Sequence, residues 1–320
     1  MRPKPAPLRA VALQAEGLLF ADRKRSAGSG PRSGRQPEDR DLSLEFGRSA
    51  GSVRREIGRG TQAVIYRLPD GRIEKAFHDD VPDDLIERER RNARLAYEAG
   101  VPTWRVDGPT AVSAGRSVVG SFEAGRPLSR ILRWRPHRAL PLIRRMARLH
   151  AQIHATPPDT TFDKKSVSAE GALRRLRRLA PEADFDRVPQ LIGASESGFC
   201  HGDLSPSNVL WDGERMLALD WARSGFGALT ADAGRTAAII FASRRIGTPA
   251  PAPMGRAYRR LLATEYMAAY CAETGRSLDE VRAWAAVFLE SKATSGPDVG
   301  RRAGLVAEVV HLVQPAAAER

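Results

Sequence analysis

Residues 199–221, Phe-Cys-His-Gly-Asp-Leu-Ser-Pro-Ser-Asn-Val-Leu-Trp-Asp-Gly-Glu-Arg-Met-Leu-Ala-Leu-Asp-Trp, constrain this chain more than any other stretch. Two apolar runs, Val209–Trp211 and Met216–Leu219, flank Asp212-Gly213. An Asp-Gly pair between β-prone runs predicts a hairpin, because both turn residues are then asked to take φ > 0. Asn208 enters the first strand and Asp220 leaves the second, so an amide and a carboxylate meet at the open end. Asp203 lies five residues before Asn208, on a loop that Pro206 keeps from becoming helix. An acid, an amide and a second acid then face one pocket, with oxygen ligands suited to Mg²⁺.

The order His201-Gly202-Asp203, Asn208, Asp220-Trp221 resembles the catalytic segment of the aminoglycoside phosphotransferase family, the protein-kinase-like small-molecule phosphotransferases. Protein kinases carry the same logic as H-R-D-x-x-x-x-N followed by D-F-G. Gly202 replaces the Arg and Trp221 the Phe, which points to the small-molecule branch. The resemblance implies an α+β, two-lobed protein-kinase-like fold, with a small antiparallel β N-lobe and a mostly helical C-lobe. It also implies ATP-dependent transfer of the γ-phosphate to a hydroxyl of a small molecule. In that scheme Asp203 is the catalytic base, Asn208 and Asp220 hold Mg²⁺, and His201 braces the loop.

Upstream, Ile57 to Tyr66, a Pro69-Asp70-Gly71 turn and Arg72 to Phe77 predict a small antiparallel sheet. Gly58 and Gly60 let backbone N–H groups approach phosphate oxygens. They match two of the three glycines of the kinase phosphate loop, with Ala63 at the third. Lys75 on the third strand stands where a phosphate-binding lysine is required. Asp83 to Ala99 predicts a helix with acidic residues in its first turn. Its carboxylate partner for Lys75 is Glu87 or Glu89, which face different directions. The family pattern, counted back from Gly100-Val101-Pro102, favours Glu89. Thr110–Ser113 and Ser117–Phe122 predict a further hairpin. Phe122 to Gly125 falls at the family's inter-lobe hinge, where the backbone of Glu123 is the candidate adenine reader.

Leu140 to Ala155 has helical apolar spacing. Its His150 and His154 are spaced for zinc, but the glutamate of H-E-x-x-H is missing and no third ligand is evident, so packing or capping roles are expected. The arginine run within Ala172–Leu179 predicts a solvated helix face. Asp232 is expected to cap the helix that follows Leu229 and to tie down the catalytic loop. Residues 247–253, Gly-Thr-Pro-Ala-Pro-Ala-Pro, are expected to be irregular. Helices are predicted over Arg256–Glu273, Asp279–Lys292 and Val299–Leu312.

The 320 residues suffice for two lobes. The expected division is a tail at 1–50, an N-lobe at 51–125 and a C-lobe at 126–320. The Arg/Ser/Gly/Pro run from Arg23 to Pro37 is expected to be disordered, and residues 8–20 to form at most a short docking helix. No apolar run reaches the roughly 20 residues of a membrane helix. Cys200 and Cys271 form no C-x-x-C pair, so a reducing, cytoplasmic setting is expected. The net charge of +13 divides as +4 over 1–50, zero over 51–125 and +9 over 126–320. The excess is nearly all Arg, which genomic bias also produces, and no nucleic-acid motif accompanies it, so no nucleic-acid partner is expected. The expected partner is a small hydroxylated acceptor. The +9 makes a neutral or anionic acceptor the expectation over a polycationic one, unless local carboxylates such as Glu290 or Asp298 line the pocket. RIO-type atypical protein kinases, and a catalytically silent binding module on the same fold, are the alternative readings.

Overall fold

β1 (Arg55–Arg59), β2 (Ala63–Arg67), β3 (Ile73–Phe77) and β4 (Ser117–Gly120) form one antiparallel sheet in the order β1-β2-β3-β4. Lys75 sits mid-strand, opposite Ile65 on one side and Val118 on the other. The computed structural model describes residues 54–107, 115–157, 169–181, 183–193, 195–243, 246, 252–294 and 299–314, all within the compact unit Gly51–Arg320. The expected docking helix at 8–20, the strand Thr110–Ser113 and Asp298 lie outside the described residues.

Helix α1 (Asp83–Glu98) follows β3. Pro82 stands at its N-cap and Asp83 and Asp84 fill its first turn, where carboxylates meet the positive end of the helix dipole. Its buried residues Ile86, Glu89, Ala93 and Ala96 recur at three- and four-residue spacing. Gly100, at φ +79°, ends it in a conformation that other residues adopt at a cost.

Helices dominate from there: α2 (Leu128–Trp134), α3 (Ala139–His154), α4 (Glu170–Leu179), α5 (Val188–Ile192), α6 (Leu229–Ala242), α7 (Ala252–Thr274), α8 (Leu278–Thr294) and α9 (Val299–Val313). Two small sheets lie among them. β5 (Arg126–Pro127), β7 (Val209–Trp211) and β8 (Met216–Ala218) form one, and β6 (Ser197–Cys200) with β9 (Gly225–Ala228) the other. The fold is therefore a kinase-like α+β fold, with an antiparallel N-terminal sheet and a mostly helical remainder. No described helix is long and apolar enough to cross a membrane.

Helix α6 is the central one, buried along nearly its whole length. Gly234 makes that possible: a Cβ there would come 2.5 Å from Cβ of Trp284 and 2.8 Å from the Ala285 nitrogen on α8. The indole of Trp221, fully buried, stacks on Phe199 with ring centroids 5.8 Å apart. Burying such a ring contributes on the order of 3 kcal/mol.

Several expectations are corrected. The β7–β8 connection is a four-residue loop, Asp212 to Arg215, in which only Gly213 takes positive φ. Asp212 instead accepts from the Glu214 and Arg215 N–H groups through Oδ1, closing the turn with its side chain. The fourth sheet strand stops at Gly120, short of Phe122. Helix α7 begins at Ala252, so Pro253 is helical, in the first turn where a proline lacks no needed N–H. On α4, Ala172, Leu173 and Leu176 are buried, and Arg175 grips the buried Glu290 carboxylate with two hydrogen bonds of 2.7 and 2.9 Å. That apolar face is packed, whereas Arg174, Arg175, Arg177 and Arg178 are all exposed, as expected of a solvated face; Glu290, held by Arg175, is not free to line a pocket.

Candidate active site

The β7–β8 hairpin pairs Val209 with Ala218 and Trp211 with Met216, and its open end is closed by the Leu219 N–H donating to the Asn208 carbonyl at 2.8 Å. This bond sets Asn208 beside the residue that precedes Asp220, so the two side chains that the sequence placed at the mouth of the hairpin lie at one end. The Asn208 side-chain N–H donates to the Asp203 carbonyl at 3.0 Å, which leaves the amide oxygen as its remaining ligand atom. Asp220 is the one non-glycine residue with positive φ, +71°, among the described residues. Such a backbone costs about 1 kcal/mol and turns the side chain out of the strand direction, towards β3.

There it meets Lys75, whose Nζ lies 3.1 Å from Asp220 Oδ1 and 2.9 Å from Glu89 Oε1. Burial opposes the ammonium charge, but the Glu89 and Asp220 carboxylates outweigh it and hold the lysine pKa above its ordinary value. Burial likewise opposes ionisation of Asp220, and Lys75 overcomes it, so its pKa lies below the usual carboxylate range. Glu89 is fully buried, so its carboxylate depends on the Lys75 ammonium for compensation. Glu87, the other candidate on the same helix, is exposed and pairs with Arg90.

Lys75, Glu89, Asn208 and Asp220 line a cavity of about 480 Å³ together with Gly58, Gly60 and Glu123. Neither Gly58 nor Gly60 has positive φ, and a Cβ on either would make only ordinary contacts, at 3.8 and 3.6 Å. The fold itself therefore does not require glycine there. The missing side chains instead leave room above the loop, where backbone N–H groups can reach an anion. The Glu123 side chain accepts from Ser121 Oγ at 2.7 Å, while its backbone N–H and carbonyl take no partner among the described residues. Apolar walls come from Ile57, Ile65, Ile73, Leu210 and Leu219. A purine with a phosphate tail matches a cavity of that size, with an apolar body and a cationic end.

Behind this wall the loop that carries His201 to Asn208 is tied down at several points. Asp232 accepts from the N–H of His201 at 2.7 Å and of Gly202 at 2.9 Å. The expected capping role is not what it does: the N-cap of α6 is Ala228, and no side chain caps it. Asp232 sits a turn inside the helix and spends both oxygens on the loop and on two histidines. Nε2 of His150 and of His154 lie 3.1 and 3.3 Å from Asp232 Oδ2. A carboxylate only accepts, so each Nε2 carries hydrogen and each Nδ1 accepts from a tyrosine hydroxyl, Tyr266 and Tyr270 respectively. Burial, helped by the neighbouring His150, depresses the His154 pKa to about 3. These three side chains are the one group among the described residues whose ligand atoms lie within 4.8 Å of one another. Every one of those atoms is already used in a hydrogen bond, so the cluster is a filled network and no vacancy for zinc is left.

His201 is fully buried against Trp221, at 4.5 Å between ring centroids. Its Nε2 donates to the Leu219 carbonyl at 3.1 Å and its Nδ1 accepts from the Asp203 N–H at 3.3 Å. Burial lowers its pKa to about 4, so at neutral pH it links the loop to the hairpin without charge. Three contributors were missed in the sequence. Asn92 donates from α1 to the carbonyls of Trp221 and Ser224, at 3.2 and 3.3 Å. Thr103 accepts from the Trp221 indole N–H at 2.9 Å and donates to the Ala218 carbonyl. Arg235 on α6 stands 3.7 Å from Asp203. Only the last had a signal, its place one turn after Asp232.

A model of the phosphotransferase enzyme family (APH) matches residues 47–284. No curated protein matches the sequence. Among solved structures, a choline/ethanolamine kinase family protein from Mesorhizobium loti is 16% identical with a TM-score of 0.54, over 82% of this chain and 88% of that one. Choline kinase from Cryptosporidium parvum is 12% identical with a TM-score of 0.50, over 81% and 87%. The gentamicin complex of APH(2'')-IIa is 13% identical with a TM-score of 0.52, over 82% and 92%. At these identities the likeness is one of fold.

Proposed function

The chain belongs to the phosphotransferase enzyme family, whose members act on hydroxyl acceptors, and from that premise we propose that it moves the γ-phosphate of ATP to a small neutral or anionic alcohol. Residues 51–125 then form the nucleotide-binding lobe, and residues 126–320 carry the catalytic loop, the metal ligands and the acceptor site. The observation that supports this best is the Lys75 ammonium between Glu89 and Asp220, at the cationic end of an apolar-walled cavity.

In this reading Asn208 and Asp220 hold Mg²⁺ through one amide and one carboxylate oxygen, a donor set suited to a hard cation. When bound, the ion neutralises phosphate charge as it shifts during transfer. Lys75 binds phosphate oxygens, and Glu89 keeps the ammonium aimed. The backbone at Gly58 and Gly60 covers the phosphates, and that of Glu123 reads the base. Asp203 orients the acceptor hydroxyl and takes its proton. The acceptor oxygen forms a bond to the γ-phosphorus, the bond to the β–γ bridging oxygen breaks, and ADP departs with that electron pair. Charge is spread over the transferred group at that moment, so positioned opposite charges supply most of the acceleration.

The family's aminoglycoside-modifying members handle polycations. Here residues 126–320 carry +9, and Glu290 is neutralised by Arg175. That field would slow the approach of a polycation, which favours acceptors such as sugars, amino-alcohol derivatives or nucleosides.

Calorimetric titration with Mg·ATP and an assay of acceptor-dependent ADP release test the roles. Asp203→Ala should abolish transfer while nucleotide affinity changes less than about threefold, and Asp220→Ala should weaken nucleotide binding itself. Equal damage to nucleotide affinity by both would overturn the assignment.

A further inference from the structure

Next to Asp203 stands a cation that the transfer chemistry above does not use. Arg235 projects from α6 one turn after Asp232, and its Nη2 lies 3.7 Å from Asp203 Oδ1, too far for a hydrogen bond. Its guanidinium lies 5.6 Å from the centroid of the Phe288 ring on α8. Among the described residues it makes no hydrogen bond, and its Nε is buried without a partner. Two other arginines that meet this unit's helical core are gripped by carboxylates at hydrogen-bond distance, Arg175 by Glu290 and Arg260 by Glu308. Arg235 thus presents a fork of donors, half-buried and beside an aromatic ring, whose one ion-pair partner, Asp203, stands beyond hydrogen-bonding distance.

We propose that Arg235 binds an anionic group of the acceptor, a phosphate or carboxylate carried on the same small molecule as the hydroxyl that Asp203 engages. This rests on Asp203 being the acceptor-binding base, and it narrows the neutral-or-anionic class to the anionic one. A guanidinium is suited to the task because its planar fork pairs with two oxygens of a phosphate or carboxylate, and because it stays charged at any working pH. With about 3 Å from Asp203 to the hydroxyl, 3.7 Å from Asp203 to Arg235 and about 2.8 Å from Arg235 to the anion, the two groups of the acceptor lie within about 9.5 Å of each other. A quaternary ammonium or polyamine in the same place would face a half-buried like charge. The substrate class excluded is therefore as definite as the one selected.

The test uses the full chain with a saturating non-hydrolysable ATP analogue and Mg²⁺, so that the nucleotide site is filled before the probe is added. Inorganic phosphate is the probe, followed by calorimetry, and ionic strength is held constant with chloride. Wild type should bind phosphate in the millimolar range. Arg235→Gln should weaken that binding at least tenfold, Arg235→Lys less, and Arg178→Gln, at an exposed position on α4, not at all. Nucleotide affinity and thermal midpoint of each variant are measured alongside. No phosphate binding by wild type, or equal loss in Arg235→Gln and Arg178→Gln, would overturn the proposal while leaving the phosphotransferase reading intact. Absence of nucleotide binding in the first step would overturn both. In a second arm, ribose and ribose 5-phosphate, then glycerol and glycerate, are compared as acceptors. A neutral member used better than its anionic partner, or a preference unchanged in Arg235→Gln, also counts against the proposal.

Discussion

Asn92 on α1 donates to the carbonyl of Trp221, 129 residues away in sequence and immediately after Asp220. One turn earlier on the same helix, Glu89 holds Lys75. A single helix thus sets the position of the lysine through one residue and of the backbone that follows Asp220 through another. Asn92→Ala removes both amide bonds to buried carbonyls and should cost about 1–3 kcal/mol. Urea denaturation should show that loss, and calorimetry a several-fold weaker affinity for Mg·ATP. An unchanged nucleotide affinity would mean that α1 does not register the loop.

Lys75→Met leaves Glu89 buried and uncompensated near Asp220, and a broken buried pair costs roughly 3–5 kcal/mol. Adding Glu89→Gln should restore most of that stability without restoring nucleotide binding. Recovery of both in the double variant would reduce the lysine to a structural role.

Acid should destabilise the protein earlier than ordinary carboxylate titration does. His154 and His201 have folded pKa values of about 3 and 4 against 6.5 for a free imidazole, so below 6.5 the unfolded chain takes up protons that the folded one refuses. The stability held above pH 6.5 is lost as pH falls towards 4 for His201 and 3 for His154. Between pH 6.5 and 5 the loss is roughly 2 kcal/mol per histidine. A thermal midpoint that stays flat over that interval would contradict the burial argument.

Gly234→Ala would place a methyl group 2.5 Å from Trp284 Cβ and 2.8 Å from backbone on α8. The two helices must part, at about 3 kcal/mol. The urea midpoint should fall with an unchanged slope.

The hairpin end that carries Asn208 and Asp220 was legible because its signals are local: a turn pair, two apolar runs and a proline. Lys75 was legible for the same reason, as the middle of a short strand. The residues alone left Glu87 and Glu89 open, since both lie on one amphipathic helix; the family pattern pointed to Glu89, which is the residue that meets Lys75. The strand Gly225–Ala228 could not be read, because Gly-Phe-Gly-Ala has no alternation and its strand character comes from its partner, Ser197–Cys200. Asp232 looked like a cap because acidic residues favour helix starts, and nothing local reveals that two histidines and two loop N–H groups converge on it. Arg235 escaped notice because its meeting with Asp203 spans a loop and a helix.

The pairing of Cys200 with Gly225 has a consequence for how this region fails. It is the clasp of a closed circuit, residues 201–224, and Asp203, Asn208 and Asp220 all hang within it. Opening the clasp would free Asp203, Asn208 and Asp220, the proposed base and metal ligands, in one event, so hydrogen exchange in this circuit should follow a single cooperative opening. Enzyme molecules should then be either fully armed or wholly inert, with few carrying a partial set.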